Sequence, residues 1–196
     1  MAVLTLGSAS PRRRELLGLL ALDFDVTPSR VDESSVDSRN VDPGAFVRAL
    51  ATMKAEEVGE RIRDGLVLGA DTVVVLDQEI LGKPVDLADA ERMLRALAGR
   101  LHRVVTGLSL IRFQDRVPVQ RVEDHVETTV RMRAFSPETL QAYLDTGEPM
   151  DKAGAYAIQG RGALLVKGIV GDFFNVVGLP VGRLAEMLGE FGIRCL

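Results

Sequence analysis

The stretch LVLGADTVVVLD, residues 66–77, decides the fold, because its nearly continuous apolar residues predict a β-strand that is buried on both faces. Asp71 lies inside this strand. A carboxylate in such surroundings destabilises a protein unless it is paired, hydrogen-bonded or bound to a cation, and strand edges and clefts tolerate such exceptions. Asp71 is therefore the first candidate for a chemical role.

The residues after this strand predict a β-hairpin, with DQE at 77–79 as its turn and ILGKP at 80–84 as the returning strand. The hairpin brings Lys83 across from Thr72 and within diagonal reach of Asp71. A two-residue turn would point Lys83 to the face of Thr72, whereas a three-residue turn would point it to the face of Asp71. The alternation of side chains along the sequence agrees with both turn lengths. An Asp71–Lys83 pair would either serve function or only hold the hairpin together.

Before the buried strand, AVLTLGS at residues 2–8 predicts a shorter strand that leads through a tight Gly-Ser turn into a helix. Ser10 is the predicted N-cap and Pro11 the first helical residue. The first turn then contains three consecutive arginines, residues 12–14. Cations at this positive end of a helix oppose the macrodipole by about 0.3 to 1 kcal/mol each when they are exposed.

An anion bound at this helix end would reverse the sign of that interaction. Free backbone N–H groups, serine hydroxyls and arginine side chains together suit phosphate. We therefore hypothesise a phosphate site here. The alternative is a solvated charge run on an ordinary amphipathic helix whose apolar face consists of leucines.

The rest of the chain alternates strands and helices without an internal repeat or a low-complexity linker. Strands are predicted at 23–29, at 102–116 and 117–135 as a long antiparallel pair, and as a hairpin-like pair within 162–172. Helices are predicted at 42–62, 86–99, 136–147 and 178–191. These elements predict a mixed α/β protein with a twisted sheet of parallel and antiparallel strands, flanking helices, and one domain over residues 1–196 with two lobes.

Composition and charge limit the class of protein. With 46% hydrophobic and 27% charged residues, the chain can bury a core without disulfides, and its single cysteine, Cys195, excludes an intrachain disulfide. The net charge of −4 argues against a general nucleic-acid binder. The N-terminus places its apolar residues before its positive charges, the reverse of a secretory signal, and no apolar run approaches the roughly 18 residues of a membrane span. We expect a cytoplasmic protein that binds neither nucleic acid nor membranes.

Three further polar residues are candidate site residues only when they are considered together with the rest of the sequence. Glu33 lies in an acidic loop and Lys54 on a predicted helix, where either is most simply solvated. Gln159 stands between an apolar triplet and two glycines in DKAGAYAIQGRGALLVKG, residues 151–168. Its amide offers both a donor and an acceptor to one planar partner. No P-loop, GxSxG or HExxH motif is present.

The motifs together resemble the Maf family of nucleoside triphosphate pyrophosphatases. The matching segments are SASPRRRELL at 8–17, VDE at 31–33, LATMKA at 50–55, GADTVVV at 69–75, LGKP at 81–84 and DKAGAYAIQGRGA at 151–163. Their order and spacing agree from Leu4 to about Leu188. The AYAIQG and GDFFNVVGLP segments resemble the branch that acts on dTTP and UTP, although Ala157 stands where that branch commonly has glycine and Phe173-Phe174 where tyrosines are common.

The resemblance implies an enzyme that hydrolyses a nucleoside triphosphate to the monophosphate and pyrophosphate with a divalent cation, Mg²⁺ or Mn²⁺. It implies a cleft between two lobes and a homodimer. The implied triphosphate ligands are Ser8, Arg12, Arg13, Lys54 and Lys83. Asp71 is the implied proton acceptor for the attacking water, and Glu33 a partner of the metal or the water.

Glu33 and Asp71 would suffice to hold magnesium, because this ion usually takes one or two protein carboxylates together with phosphate oxygens. Arg12, Thr72 and Gln159 correspond to the family's selectivity positions. We expect the side chains with a charge or a phosphate-binding role to converge on one cleft: Ser8, Arg12, Arg13, Glu33, Lys54, Asp71 and Lys83.

Two other functions remain as alternatives. One is a pyrophosphatase that acts mainly on another non-standard or modified nucleotide. The other is a non-catalytic nucleotide-binding regulator of septum formation, the process for which the family is named. An exposed Asp71, remote from Arg12, Lys54 and Lys83, would favour the regulator.

Overall fold

The computed structural model describes residues 4–195, which form a seven-stranded mixed sheet with packed helices. The strands are β1 (Leu4–Leu6), β2 (Phe24–Val26), β3 (Gly65–Leu76), β4 (Glu79–Leu81), β5 (Leu101–Gln114), β6 (Val117–Met132) and β7 (Val166–Val170). The helices are α1 (Pro11–Gly18), α2 (Pro43–Gly59), α3 (Leu87–Leu97), α4 (Pro137–Leu144), α5 (Phe173–Val177) and α6 (Val181–Gly189). The sheet order is β2-β1-β3-β5-β6-β7, and β4 pairs with β3. The first predicted strand starts at residue 2, so its first two residues lie outside the described range.

β3 is the strand on which the sheet is assembled. It pairs in parallel with β1 and antiparallel with both β4 and β5. Every residue of β3 except Thr72 is buried. The predicted burial on both faces is therefore confirmed, and so is the mixed α/β class.

One edge of β3 is paired at both ends and open in the middle. β1 pairs with β3 up to Leu68, and β4 pairs with the same edge only from Val74 onwards. Within the described residues, no strand covers this edge between the two. The gap exposes the middle of a buried strand, where Asp71 and Thr72 lie.

α2 lies so close to the sheet that side chains do not fit beneath it at two points. A Cβ on Gly69 would lie 1.9 Å from the carbonyl oxygen of Ala51, and a Cβ on Gly107 would lie 2.4 Å from that of Val47. Only glycine permits such an approach. Gly107 is the direct β5 partner of Asp71, so α2 crosses the sheet over the face to which Asp71 points.

The opposite face of β3 packs against two separate apolar clusters. One joins Leu66 and Leu68 to α1 and α6, and the other joins Val74 and Leu76 to α3 and α4. Thr72 lies on this face between the two clusters. The clusters form two lobes with a cleft between them, as predicted.

Several predicted element boundaries are confirmed. The Ser10 hydroxyl accepts a hydrogen bond from the Arg13 backbone N–H at 3.4 Å, and Pro11 is the first residue of α1. Asp42 caps α2 in the same way. The predicted DQE turn is one residue too long: the turn between β3 and β4 has two residues, because Glu79 already belongs to β4 and pairs with Leu76.

The predicted hairpin-like pair within 162–172 is wrong. Residues Gly160–Leu165 form a 3₁₀ helix, and the single strand β7 follows it. β7 pairs antiparallel with β6, which supplies the backbone hydrogen-bond partners that a second local strand would otherwise have provided. The short helix α5, which Asp172 caps, was also not predicted.

We predict that Gly69→Ala destabilises the protein by about 1–3 kcal/mol, because its Cβ would overlap the backbone of α2 and force the helix away from the sheet. The measurement is the free energy of unfolding in urea. Gly189→Ala at the end of α6 is the matched control, because a Cβ there meets nothing within 4 Å. Equal stability of the two variants would contradict the proposed contact.

Candidate active site

The cleft between the lobes is a cavity of about 950 Å³. Its walls come from the turn before α1, the middle of β3, the segment after β4, and residues 150–159 and 176–178. All nine side chains that the sequence selects line it: Ser8, Arg12, Arg13, Glu33, Lys54, Asp71, Thr72, Lys83 and Gln159. The expected convergence on one cleft is therefore observed.

A lysine between two carboxylates forms the centre of the site. The Lys54 ammonium lies 2.6 Å from Asp71 Oδ1 and 2.6 Å from Glu33 Oε1. Lys54 and Asp71 are each only 5% exposed. The ammonium of Lys83 lies 3.5 Å from the second oxygen of Glu33. Two carboxylates and two lysines from four separate segments thus meet at the open edge of β3.

The observed partner of Asp71 is Lys54, which corrects the expectation that Lys83 pairs with it. The two-residue turn corresponds to the first of the two predicted registers, but β4 ends at Leu81, so Lys83 lies beyond the paired residues, where its ammonium is 3.5 Å from Glu33 Oε2. Lys54 reaches Asp71 because α2 lies so close to the sheet. No sequence signal within the hairpin could indicate a partner on a distant helix.

The two carboxyl groups have opposite pKa shifts. Burial raises the pKa of Asp71 above its ordinary value, although Lys54 and Arg13 oppose this shift. Burial also acts to raise the pKa of Glu33, but the charge and hydrogen bond of Lys54, together with the charges of Lys83 and Arg13, outweigh it, so that the pKa of Glu33 lies below its ordinary value. Such a pair suits a division of roles in which Asp71 is the stronger base and Glu33 remains anionic.

Arg13 links the elements around the cleft. Its Nε donates to the Gly178 carbonyl at 2.9 Å, and its Nη1 donates to Ala70 O at 2.9 Å and to Ser8 Oγ at 3.2 Å. Its Nη2 donates to Thr72 Oγ1 at 3.0 Å. Four of the five N–H groups of this guanidinium therefore bind protein atoms, which leaves one for a ligand. The implied role of Arg13 as a triphosphate ligand stays a prediction, and the structure adds that it holds Ser8 and Thr72 in place.

The other two arginines of the first turn point to different surroundings. Arg12 lines the cleft and pairs at 3.6 Å with Asp151. Arg14 is exposed and borders a shallow depression near residues 22–26 on another side of α1. The charge run is thus divided, with two arginines at the cleft and one in solvent.

Residues 150–159 contribute another wall of the cleft, and only Gln159 was predicted there. Lys152 also lines the cavity, where it pairs with Asp151 and donates to the Glu148 carbonyl at 3.1 Å. Asp151 and Lys152 begin the glycine-rich motif that contains Gln159. Their charge beside that motif was the available signal for their presence at the site.

The family model described as Maf-like protein matches residues 3–191 of the chain. The chain belongs to this family. A Maf relative from Moorella thermoacetica, named dTTP/UTP pyrophosphatase, is 52% identical over 98% of this chain and 97% of its own length. Relatives of the same name from Symbiobacterium thermophilum and Acetivibrio thermocellus are 49% identical over 98% and 47% identical over 100% of this chain, and 95% and 98% of their own lengths are covered.

Two further properties of this Maf protein concern metals and membranes. In residues 4–195, no group of three or more histidine, cysteine, aspartate or glutamate side chains is arranged to hold a metal ion. Glu33 and Asp71 nevertheless direct oxygens at one cation, the ammonium of Lys54. None of the helices in the described part of the chain is both long enough and apolar enough to cross a membrane.

We predict that Lys54→Met destabilises the protein by about 3–5 kcal/mol at neutral pH, because the change leaves Asp71 buried without its cation. A carboxyl whose pKa is raised in the folded state favours folding more at low pH, since only its protonated form is tolerated there. The loss should therefore shrink as the pH falls through the raised pKa of Asp71.

The measurement for Lys54→Met is urea unfolding over a pH series. Lys167→Met on β7 is the control, because that lysine is exposed. A loss of stability that does not depend on pH would show that the ion pair with Asp71 is not its cause.

Proposed function

We propose that this Maf protein hydrolyses dTTP and UTP to the monophosphate and pyrophosphate. The observation that carries the proposal is the buried carboxylate of Asp71 beside Lys54 in a cleft that Arg12, Arg13 and Lys83 also line. A dense cation cluster at one point suits a small polyanion such as a triphosphate. The names of relatives at 46–52% identity support this choice of substrate.

The reaction requires an activated water and neutralisation of phosphate charge. Asp71 accepts a proton from the attacking water, whose oxygen forms a bond to the α-phosphorus of the triphosphate. The bridging P–O bond then breaks, and pyrophosphate leaves with the bonding electron pair. Cationic side chains stabilise the charge that develops on the phosphate oxygens, which is the principal demand of phosphoryl transfer.

Glu33 and Asp71 would hold the divalent cation, Mg²⁺ or Mn²⁺. Their oxygens already converge on a positive charge, and carboxylate oxygen is the donor that both ions accept. When bound, the ion would supply further charge neutralisation at the phosphates. Lys54 favours the anionic form of Glu33, which is the form that binds a cation.

Gln159 and Thr72 are the proposed groups for recognition of the base. Uracil and thymine each present two carbonyl acceptors on either side of one N–H donor, and an amide, a hydroxyl and nearby backbone groups can together satisfy that edge. Thr72 is held in place, because its hydroxyl accepts from Arg13 and donates to Thr106 Oγ1, whose own proton goes to the Asn175 carbonyl. One lone pair of Thr72 Oγ1 is left to accept the N–H of the base. Adenine would leave polar groups of the site unpaired, at a cost of roughly 1–3 kcal/mol each.

The geometry favours an enzyme over the regulator of septum formation, which would leave Asp71 exposed and remote from the cations. Asp71 is instead buried and 2.6 Å from Lys54. The choice between dTTP or UTP and a modified nucleotide depends on the base pocket, so a panel of substrates separates those two. The homodimer that the resemblance implies and the cytoplasmic location that the composition predicts stay predictions, to be checked by light scattering and by cell fractionation.

We predict that Asp71→Asn lowers kcat for UTP with Mg²⁺ by about two to four orders of magnitude, because it removes the basic carboxylate and keeps the size of the side chain. The fold should survive. Steady-state release of pyrophosphate is the measurement, and Asp25→Asn on β2, which is exposed, is the control. Full turnover by Asp71→Asn would assign Asp71 to a structural pair with Lys54.

We predict that wild-type protein hydrolyses UTP and dTTP well and ATP poorly, and that Gln159→Ala reduces this preference without abolishing hydrolysis. The measurement is kcat/KM for UTP, dTTP, CTP, GTP and ATP on both proteins. An unchanged order of preference in Gln159→Ala would place recognition of the base elsewhere. Equal rates for all five nucleotides on the wild type would show that the base is not recognised.

A further inference from the structure

Gln159 occupies an unusual position for a residue that recognises a ligand. It is the N-cap residue of the 3₁₀ helix Gly160–Leu165, yet its side chain makes no capping hydrogen bond. The first N–H groups of a helix need acceptors, which short Ser, Thr, Asp or Asn side chains at the N-cap usually supply and glutamine does not. An acceptor from elsewhere would release the Gln159 amide for another partner.

Glu148 supplies that acceptor from a preceding turn. One oxygen of its carboxylate accepts the Arg161 N–H at 3.0 Å, and the other accepts the Gly162 N–H at 3.1 Å. The second oxygen also accepts the Tyr143 hydroxyl at 3.2 Å. An ionised acceptor makes these bonds stronger than neutral ones.

The chain at residues 160–162 is shaped around this carboxylate. Gly160 has a φ of +67°, and a Cβ on it would lie 2.9 Å from Glu148 Oε2. A Cβ on Gly162 would lie 2.3 Å from the Ala157 carbonyl oxygen. The two glycines therefore let the chain fold closely over Glu148 immediately after Gln159.

The backbone N–H and the backbone carbonyl of Glu148 are both hydrogen-bonded to side chains. Its backbone N–H donates to Thr146 Oγ1 at 3.0 Å, and its carbonyl accepts Lys152 Nζ at 3.1 Å. Lys152 pairs with Asp151, which in turn pairs with Arg12 across the cleft. Glu148, which binds the turn after Gln159, is thus connected through Lys152 and Asp151 to Arg12.

We propose that Glu148 is a positioning residue for recognition of the pyrimidine base: its carboxylate caps the turn at 160–162 in place of Gln159 and so orients the Gln159 amide toward the base. This inference rests on the proposed function. Glu148 does not touch the nucleotide and acts through Gln159. Its loss should weaken selection of the base and leave the chemistry at the phosphates intact.

The test is Glu148→Gln, which keeps the shape but places an NH₂ group against one of the two backbone N–H donors. We expect kcat/KM for UTP and dTTP to fall about tenfold, mainly through KM, while the value for ATP changes little. The double variant Glu148→Gln/Gln159→Ala should lose no more preference than Gln159→Ala alone, because the two residues act as one unit. Glu186→Gln on the exposed face of α6 is the matched control and should change neither quantity.

A purely structural role for Glu148 gives different results. Losses of equal size on all five nucleotides, or additive losses of preference in the double variant, would overturn the inference and leave the proposed function intact. Failure of the wild type on every nucleotide would reject the proposed function and the inference with it. If Glu148→Gln does not fold, Glu148→Asp decides, since it keeps the charge and is too short to reach both amides; an unchanged preference would then overturn the inference.

Discussion

The open edge of β3 is the constraint on which the site depends. The backbone N–H and C=O groups of a buried strand need hydrogen-bond partners. On this edge, within the described residues, no neighbouring strand supplies them between β1 and β4. Arg13 takes over part of that task, because it donates to the Ala70 carbonyl that faces the gap. The same guanidinium binds the side chains of Ser8 and Thr72. The interruption in the sheet thus creates the cleft, and the side chain that stabilises it also orders its lining.

Close packing of α2 determines the electrostatics of this cleft. Gly69 and Gly107 allow the helix to lie almost on the backbone of the sheet, and Lys54 then extends from the same helix to Asp71. A buried ion pair is weak evidence for stability as its purpose, since well-packed apolar residues often serve as well. Its position beside an open cavity fits the proposed chemistry, which needs a carboxylate and a cation together.

The residues in which this chain differs from the dTTP/UTP branch lie at different distances from the cleft and make different contacts. Ala157 lines the cavity near Gln159, so it contributes to the shape of the pocket. Phe174 packs against the apolar cluster that contains α1 and α6, while Phe173 is 42% exposed and contacts Phe174 edge to face. Neither phenylalanine touches the charged centre. Ala157 therefore bears on the shape of the cavity, and the two phenylalanines bear on the packing around α5.

The sequence by itself determined the mixed α/β class, the caps of α1 and α2, the buried strand around Asp71 and the set of charged residues, because these depend on local periodicity, on capping chemistry and on motifs. Only the tertiary structure decided that Asp71 pairs with Lys54, that Arg13 binds mainly protein atoms, and that Glu148 supports the turn after Gln159. Each of these contacts joins segments that are distant in sequence or separated by a turn of irregular backbone. Such contacts depend on strand register and on the distance between a helix and a sheet, which the glycines at 69 and 107 permit but which no local pattern specifies.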